Sequence, residues 1–152
     1  MGSGEAPVYL VSAARTPIGR FGGALAGVPA VELGAVAIRA AVERAGLSLD
    51  APVDEVIMGQ VLHAGAGQAP ARPALLRAGP AYTPPATPIN RARGSGPQAI
   101  MLAAAAVKAG DGDLFVAGGM ESMNLAPSLL RQARTGYRLG HGVVEDSTVL
   151  DG

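Results

Sequence analysis

The chain has 152 residues and a mass of 15.1 kDa, and its 12 basic and 12 acidic side chains give a formal charge of +0. That balance excludes the single-sign field of a nucleic-acid-binding surface, and the absence of cysteine excludes disulfides, thiolate metal sites and thiol catalysis within the chain. Apolar residues make up 49%, yet five aromatics stand against 30 alanines and 22 glycines, so the core has to rely on backbones that approach closely.

Residues 1–5 read as a small, flexible lead-in, 6–120 as one α/β domain, and 121–152 as the start of a loop region. The longest apolar run, 99–107, is far below the roughly 20 residues that span a bilayer. No basic segment followed by an apolar one opens the chain, so the expectation is a cytoplasmic location and no membrane.

Val8-Tyr9-Leu10-Val11 reads as a first buried strand, ended by the loop signal Arg15-Thr16-Pro17-Ile18-Gly19. From Pro29 to Ala45 the apolar residues Val31, Ala35, Ile38, Val42 and Ala45 recur at steps of four and three, with Glu32, Arg39 and Glu43 on another stripe. This predicts an amphipathic helix, with Pro29 suited to its first turn and Gly46 to the left-handed residue past its end. Glu55-Val56-Ile57-Met58 reads as a second strand, and the connection that follows holds a short helix around Arg72 to Arg77.

Thr87-Pro88-Ile89-Asn90 is in the right place for a third strand, but Pro88 has no amide to donate and restricts it to a strand start or an edge. Pro97 to Ala109 reads as a helix of small residues closed by Gly110, and Leu114-Phe115-Val116-Ala117 as a fourth strand running into Gly118-Gly119. Solid apolar strands alternating with helices predict an α/β fold, a mostly parallel sheet with helices on both faces. From Glu121 onward no strand or periodic helix is legible.

The most informative stretch is Ile89-Asn90-Arg91-Ala92-Arg93-Gly94-Ser95-Gly96-Pro97-Gln98-Ala99, where a strand turns through two glycines into a helix. Such a turn aims unpaired amides and the positive helix end at one spot, which favours an anion. Residues 94–99 fit the G-x-G-x-x-A dinucleotide pattern, although at the third strand rather than the first. Equally, the glycines can serve only to let helix and sheet pack closely.

A third reading comes from resemblance. Val11-Ser12-Ala13-Ala14-Arg15-Thr16-Pro17-Ile18-Gly19-Arg20-Phe21-Gly22-Gly23, Met58-Gly59-Gln60-Val61, Gly65-Ala66-Gly67-Gln68-Ala69-Pro70-Ala71-Arg72 and Ala117-Gly118-Gly119-Met120-Glu121-Ser122-Met123 stand in the order of similar segments in the N-terminal half of thiolases. The chain resembles that family over roughly residues 6 to 152. The resemblance implies acyl transfer between coenzyme A thioesters in fatty acid metabolism, with acyl-CoA as substrate and no resident cofactor. It also implies assembly into a homo-oligomer or with a complementary C-terminal chain.

The same resemblance marks a departure. Before the Gly-Ser-Gly turn the family reads roughly Asn-Lys-Val-Cys, and that cysteine takes up the acyl group; here the residues are Asn90-Arg91-Ala92-Arg93. A helix N-terminus lowers a thiol's pKa and the thiolate attacks the thioester, whereas a guanidinium stays protonated and cannot attack. Arg93 therefore occupies the nucleophile position without competence. It also sets positive charge against the positive helix end unless it swings out to solvent or holds an anion.

The family's activating histidine, second cysteine and water-holding asparagine come from its C-terminal half, and the resemblance implies a fifth strand of the N-terminal sheet supplied from after the loop region. The 152 residues are accordingly expected to form an incomplete, inactive fragment with one sheet edge open. His63 and His141 are expected in loops or a pocket wall, and Ser95 has no base to activate it. Arg15 either braces its turn or meets a phosphate of coenzyme A, and Glu121-Ser122 either lines the carboxyl edge of the sheet or caps the next element. Met58, Met101, Met120 and Met123 read as core or interface filling, and two distant histidines make no metal site.

Overall fold

The computed structural model describes residues 7–80 and 84–152; the lead-in expected at 1–5 lies outside them. Helix α1 (Ala30–Arg44) begins after Pro29, which is extended at φ −62°, ψ 149°. It ends in a Schellman turn: the Leu47 amide reaches back to the Val42 carbonyl at 3.2 Å and the Gly46 amide to Glu43 at 3.0 Å, with Gly46 left-handed at φ +73°. Strand β1 (Glu55–Gly59) follows, then the short helix α2 (Ala71–Ala78), strand β2 (Ala86–Ile89), helix α3 (Ser95–Ala109) and strand β3 (Phe115–Gly119). α3 closes as α1 does, with the Asp111 amide on the Ala106 carbonyl and Gly110 left-handed.

The three strands form a parallel sheet in the order β2-β1-β3, with Val56 opposite both Ala86 and Val116. Pro88 sits on the edge strand β2, where its missing amide costs no bond to a further neighbour. Alternation along the strands divides the core. Val56 and Met58 join α1 and α2 on one face, through Val31, Ala35, Ile38, Ala74 and Leu75. Ile57, Phe115 and Ala117 meet α3 on the other, through Ala99 and Ala103. Helices thus cover both faces, as the solid apolar strands require.

Two expectations fail. Val8–Val11 belongs to no strand: Tyr9, Leu10 and Val11 are 75%, 80% and 68% exposed. The run has strand-forming residues, but pairing needs a neighbour, and among the described residues none lies beside it. The segment is tied instead by Arg44, whose guanidinium donates to the Ala13 carbonyl at 3.1 Å.

Beyond residue 120 the chain does contain short structure. A one-turn 3-10 helix (Met123–Leu125) leads to β4 (Ser128–Leu129), which pairs antiparallel with β5 (Glu145–Asp146) before helix α4 (Ser147–Leu150). Arg131 pairs with Glu145 there, and Asp146 caps α4 by accepting from the Thr148 amide at 2.8 Å. Two-residue strands are too short to leave a periodic trace.

α3 is apolar nearly all round. While Ala99 and Ala103 face the sheet, Ile100, Met101 and Leu102 are 48%, 60% and 40% exposed. A helix of that composition belongs between two layers. Among the described residues, no helix is long and apolar enough to cross a membrane.

Candidate functional site

Because the strands are parallel, their carboxyl ends meet at one rim, where open α/β sheets place ligands. Each strand delivers a polar residue there: Gln60 directly after β1, Asn90 directly after β2, and Glu121 two residues beyond the end of β3 at Gly119. The rim is stitched by the Gln60 amide to the Ile89 carbonyl at 3.0 Å and the Met120 amide to the Gly59 carbonyl at 2.9 Å. Glu121 Oε2 accepts from the amides of Val61 at 2.8 Å and Leu62 at 3.2 Å. Asn90 Nδ2 donates to the Val61 carbonyl at 3.3 Å.

The turn between β2 and α3 is wound on itself. Asn90 Oδ1 accepts from the Ala92 amide at 2.9 Å, and the Gly94 amide donates to the Arg91 carbonyl at 3.0 Å. Ser95 Oγ accepts from the Arg91 amide at 2.9 Å and donates to the Ala92 carbonyl at 2.6 Å. Ala92 has φ +45°, the one non-glycine residue in that region among those described, a conformation that costs an L-residue roughly 1–2 kcal/mol.

Gly59 and Gly119 give the turn its seat. A Cβ on Gly59 would lie 2.5 Å from the Ser95 carbonyl carbon, and one on Gly119 would lie 3.2 Å from the Gly96 Cα. The close approach of helix to sheet is therefore made by Gly59 and Gly119 from the sheet side, against Ser95 and Gly96, and a Cβ on Gly96 itself would meet the Gly119 nitrogen at an ordinary 3.6 Å.

The structure thus brings the whole turn to the rim, and the match of this chain to known proteins runs through it. Residues 8–152 match the family model for the thiolase N-terminal domain. The chain belongs to the thiolase family. An acetyl-CoA acetyltransferase of Cupriavidus necator is 54% identical over 145 residues, 95% of this chain and 37% of that protein. One of Escherichia coli is 54% identical over 144 residues, 94% and 36% of the two chains. The mitochondrial acetyl-CoA acetyltransferase A of Xenopus laevis is 50% identical over 145 residues, 95% and 34%. The chain spans little more than a third of the length of these thiolases.

Within this thiolase-family chain, Arg93 lies on the turn and is exposed, and its guanidinium has no partner among the described residues. It points to solvent, so the desolvation that would accompany a buried cation does not arise. Its neighbour Arg91 hydrogen-bonds Gln98 in the first turns of α3. Ser95 is 5% exposed, with its hydroxyl committed to the two bonds of the turn, which leaves it no role as a nucleophile.

His63 sits in the loop after β1 with Nε2 buried and unpartnered, and His141 is exposed in the tail; the structure does not bring them together. Among the described residues no cluster of histidine and carboxylate side chains is fit to hold a metal.

Arg15 does not brace its turn: exposed and without a partner among the described residues, it lines a cleft of about 390 Å³ between residues 14–19 and 119–124. Glu121 and Ser122 line the same cleft. Glu121 accepts the two loop amides, and Ser122 precedes the 3-10 helix without capping it, its hydroxyl donating to the Val28 carbonyl at 2.8 Å. Met58 and Met120 are core residues, whereas Met101 and Met123 are exposed at 60% and 48%.

Sequence reasoning missed Gln60, which is 2% exposed and leaves Oε1 without a donor. The available signal was a polar residue directly following the buried strand β1.

Proposed function

We propose that the chain is the N-terminal part of a thiolase-type acyl-CoA acyltransferase in which Arg93 stands at the nucleophile position, and that alone it neither condenses nor cleaves acyl groups. The observation that carries this reading is the turn at 90–95, which presents a solvent-facing guanidinium at the start of α3 in a chain without cysteine. Thioester exchange needs an electron pair at that point, and a guanidinium offers none. The acyl-CoA is substrate; the chain calls for no resident cofactor.

The remainder of the site is proposed to come from a C-terminal half, in the same chain or another. Three features support this: the outer edge of β3, unpaired among the described residues, the exposed run Tyr9–Val11 and the exposed apolar side of α3. Surfaces of this kind also favour self-association, so a homo-oligomer belongs to the same reading. The location is proposed to be cytoplasmic.

Arg93 also favours a second reading. An unpaired cation at the mouth of a helix can hold a phosphate or carboxylate, which makes the chain a non-catalytic module for coenzyme A or a similar anion. A cleavage assay with acetoacetyl-CoA and free coenzyme A separates these. No turnover is expected from the chain alone, and activity is expected only when Arg93→Cys is combined with a thiolase C-terminal half supplied in trans. Cleavage by the unaltered chain alone overturns the proposal, and coenzyme A binding without turnover, abolished by Arg93→Ala, supports the module.

A further inference from the structure

We infer that Glu121 is a positioning residue for the turn that carries Arg93, acting through the loop after β1 and through Asn90. The inference rests on the reading of residues 90–95 as the functional turn. Glu121 does not touch that turn. Its carboxylate takes the Val61 and Leu62 amides at 2.8 and 3.2 Å, at the point where the chain has left β1 and has no sheet neighbour to bond. Val61 in turn offers its carbonyl to Asn90 Nδ2 at 3.3 Å, and the other end of that same side-chain amide receives the Ala92 amide at 2.9 Å.

A continuous series of bonds therefore joins a carboxylate beyond β3 to the left-handed Ala92, which needs restraint from outside to hold φ +45°. A charged acceptor makes the first link about twice as strong as a neutral one. Val61 holds the nitrogen end of the Asn90 side chain while its oxygen sits on Ala92, and Val61 is held by Glu121.

The absence of cysteine supplies the test, since Arg93→Cys places the only thiol of the chain on the turn. Its alkylation by iodoacetamide across pH reads how well the helix-end amides hold the thiolate. Adding Glu121→Ala is expected to raise the midpoint of that profile by about half a unit or more, towards the free thiol. In the unaltered Arg93 background it is expected to speed hydrogen exchange at the Ala92 amide several-fold. Glu121→Gln, which keeps an acceptor oxygen, is expected to restore most of both.

Removing a negative charge by itself would lower the midpoint, so a fall, or no change with Ala92 still protected, overturns the inference. Failure of Glu121→Gln to restore the turn also overturns it. Exchange at Asp113 and Leu114, held by Asp54 at the other end of the sheet, reports whether the variant is folded. If Glu121→Ala is not folded, Glu121→Asp, whose shorter side chain withdraws from both amides, carries the same expectation. Neither readout requires acyl transfer, so an Arg93→Cys chain that stays inactive even with a thiolase C-terminal half supplied in trans sinks the proposed function and leaves this measurement standing.

Discussion

Replacing Gly59 by alanine tests whether the turn is seated by backbone contact. The new methyl would lie 2.5 Å from the Ser95 carbonyl carbon, 2.6 Å from the Ser95 Cβ and 2.8 Å from the Gly96 nitrogen. None of these is the far end of a flexible side chain, so the first turn of α3 must withdraw from β1 by nearly an ångström. Overpacking of this kind costs about 1–3 kcal/mol, offset by about 0.4–1 kcal/mol from the stiffer unfolded chain.

Gly118→Ala is the control, because its added methyl meets only Met58 Sδ, at 3.9 Å. The entropic gain is the same and the clash is absent. Urea unfolding followed by circular dichroism is expected to show Gly59→Ala less stable by about 1–2 kcal/mol. That corresponds to a fall in Tm of roughly 2–8 °C for a chain of this size. Gly118→Ala is expected to be unchanged or slightly more stable. Equal losses for the two variants, or no loss at Gly59, would refute the account of the turn as held by close packing.

Two further outcomes follow from the core and from a carboxylate. Leu75→Ala opens a cavity between α2 and the sheet at a residue 3% exposed, and is expected to cost about 2–5 kcal/mol in the same urea titration; a loss well under this range would mean that the α1 and α2 layer is loosely packed. Asp54 accepts from the amides of Leu114 and Asp113, and these bonds hold its carboxyl below the ordinary value. Its contribution is then present above the unfolded pKa of about 3.9 and is lost as pH falls through the lower folded value. Urea midpoints of the parent and Asp54→Asn should therefore differ most near about pH 6 and converge in acid, whereas a gap that widens on acidification contradicts the sign.

Much of the layered fold was legible because it rests on local chemistry. The i, i+3, i+4 pattern between Val31 and Val42 is what α1 buries, Gly46 and Gly110 sit where a left-handed residue ends a helix, and Pro88 marks the edge strand. Val8–Val11 misled for the opposite reason. Its residues favour a strand, but whether a neighbouring strand exists is a property of the rest of the molecule.

At the turn, two glycines two residues apart were visible without showing which one touches the sheet. That depends on Gly59 and Gly119, distant in sequence. Arg15 and Arg93 read as residues with work to do, yet both stand in solvent. Glu121 was visible as a candidate for the carboxyl edge of the sheet, whereas Gln60 was hidden because a single polar residue after a strand looks like the start of any loop.

The parallel sheet sets a rhythm for how such a rim is supplied. A chain that leaves one strand at the top must travel back down through a helix before it can deliver again, so Gln60, Asn90 and Glu121 arrive about thirty positions apart, one per circuit. Lengthening a return journey alters the mileage but not the address. An extra residue within a strand does the reverse, since it swaps the two sides of everything downstream and sends the wrong side chain to the rim.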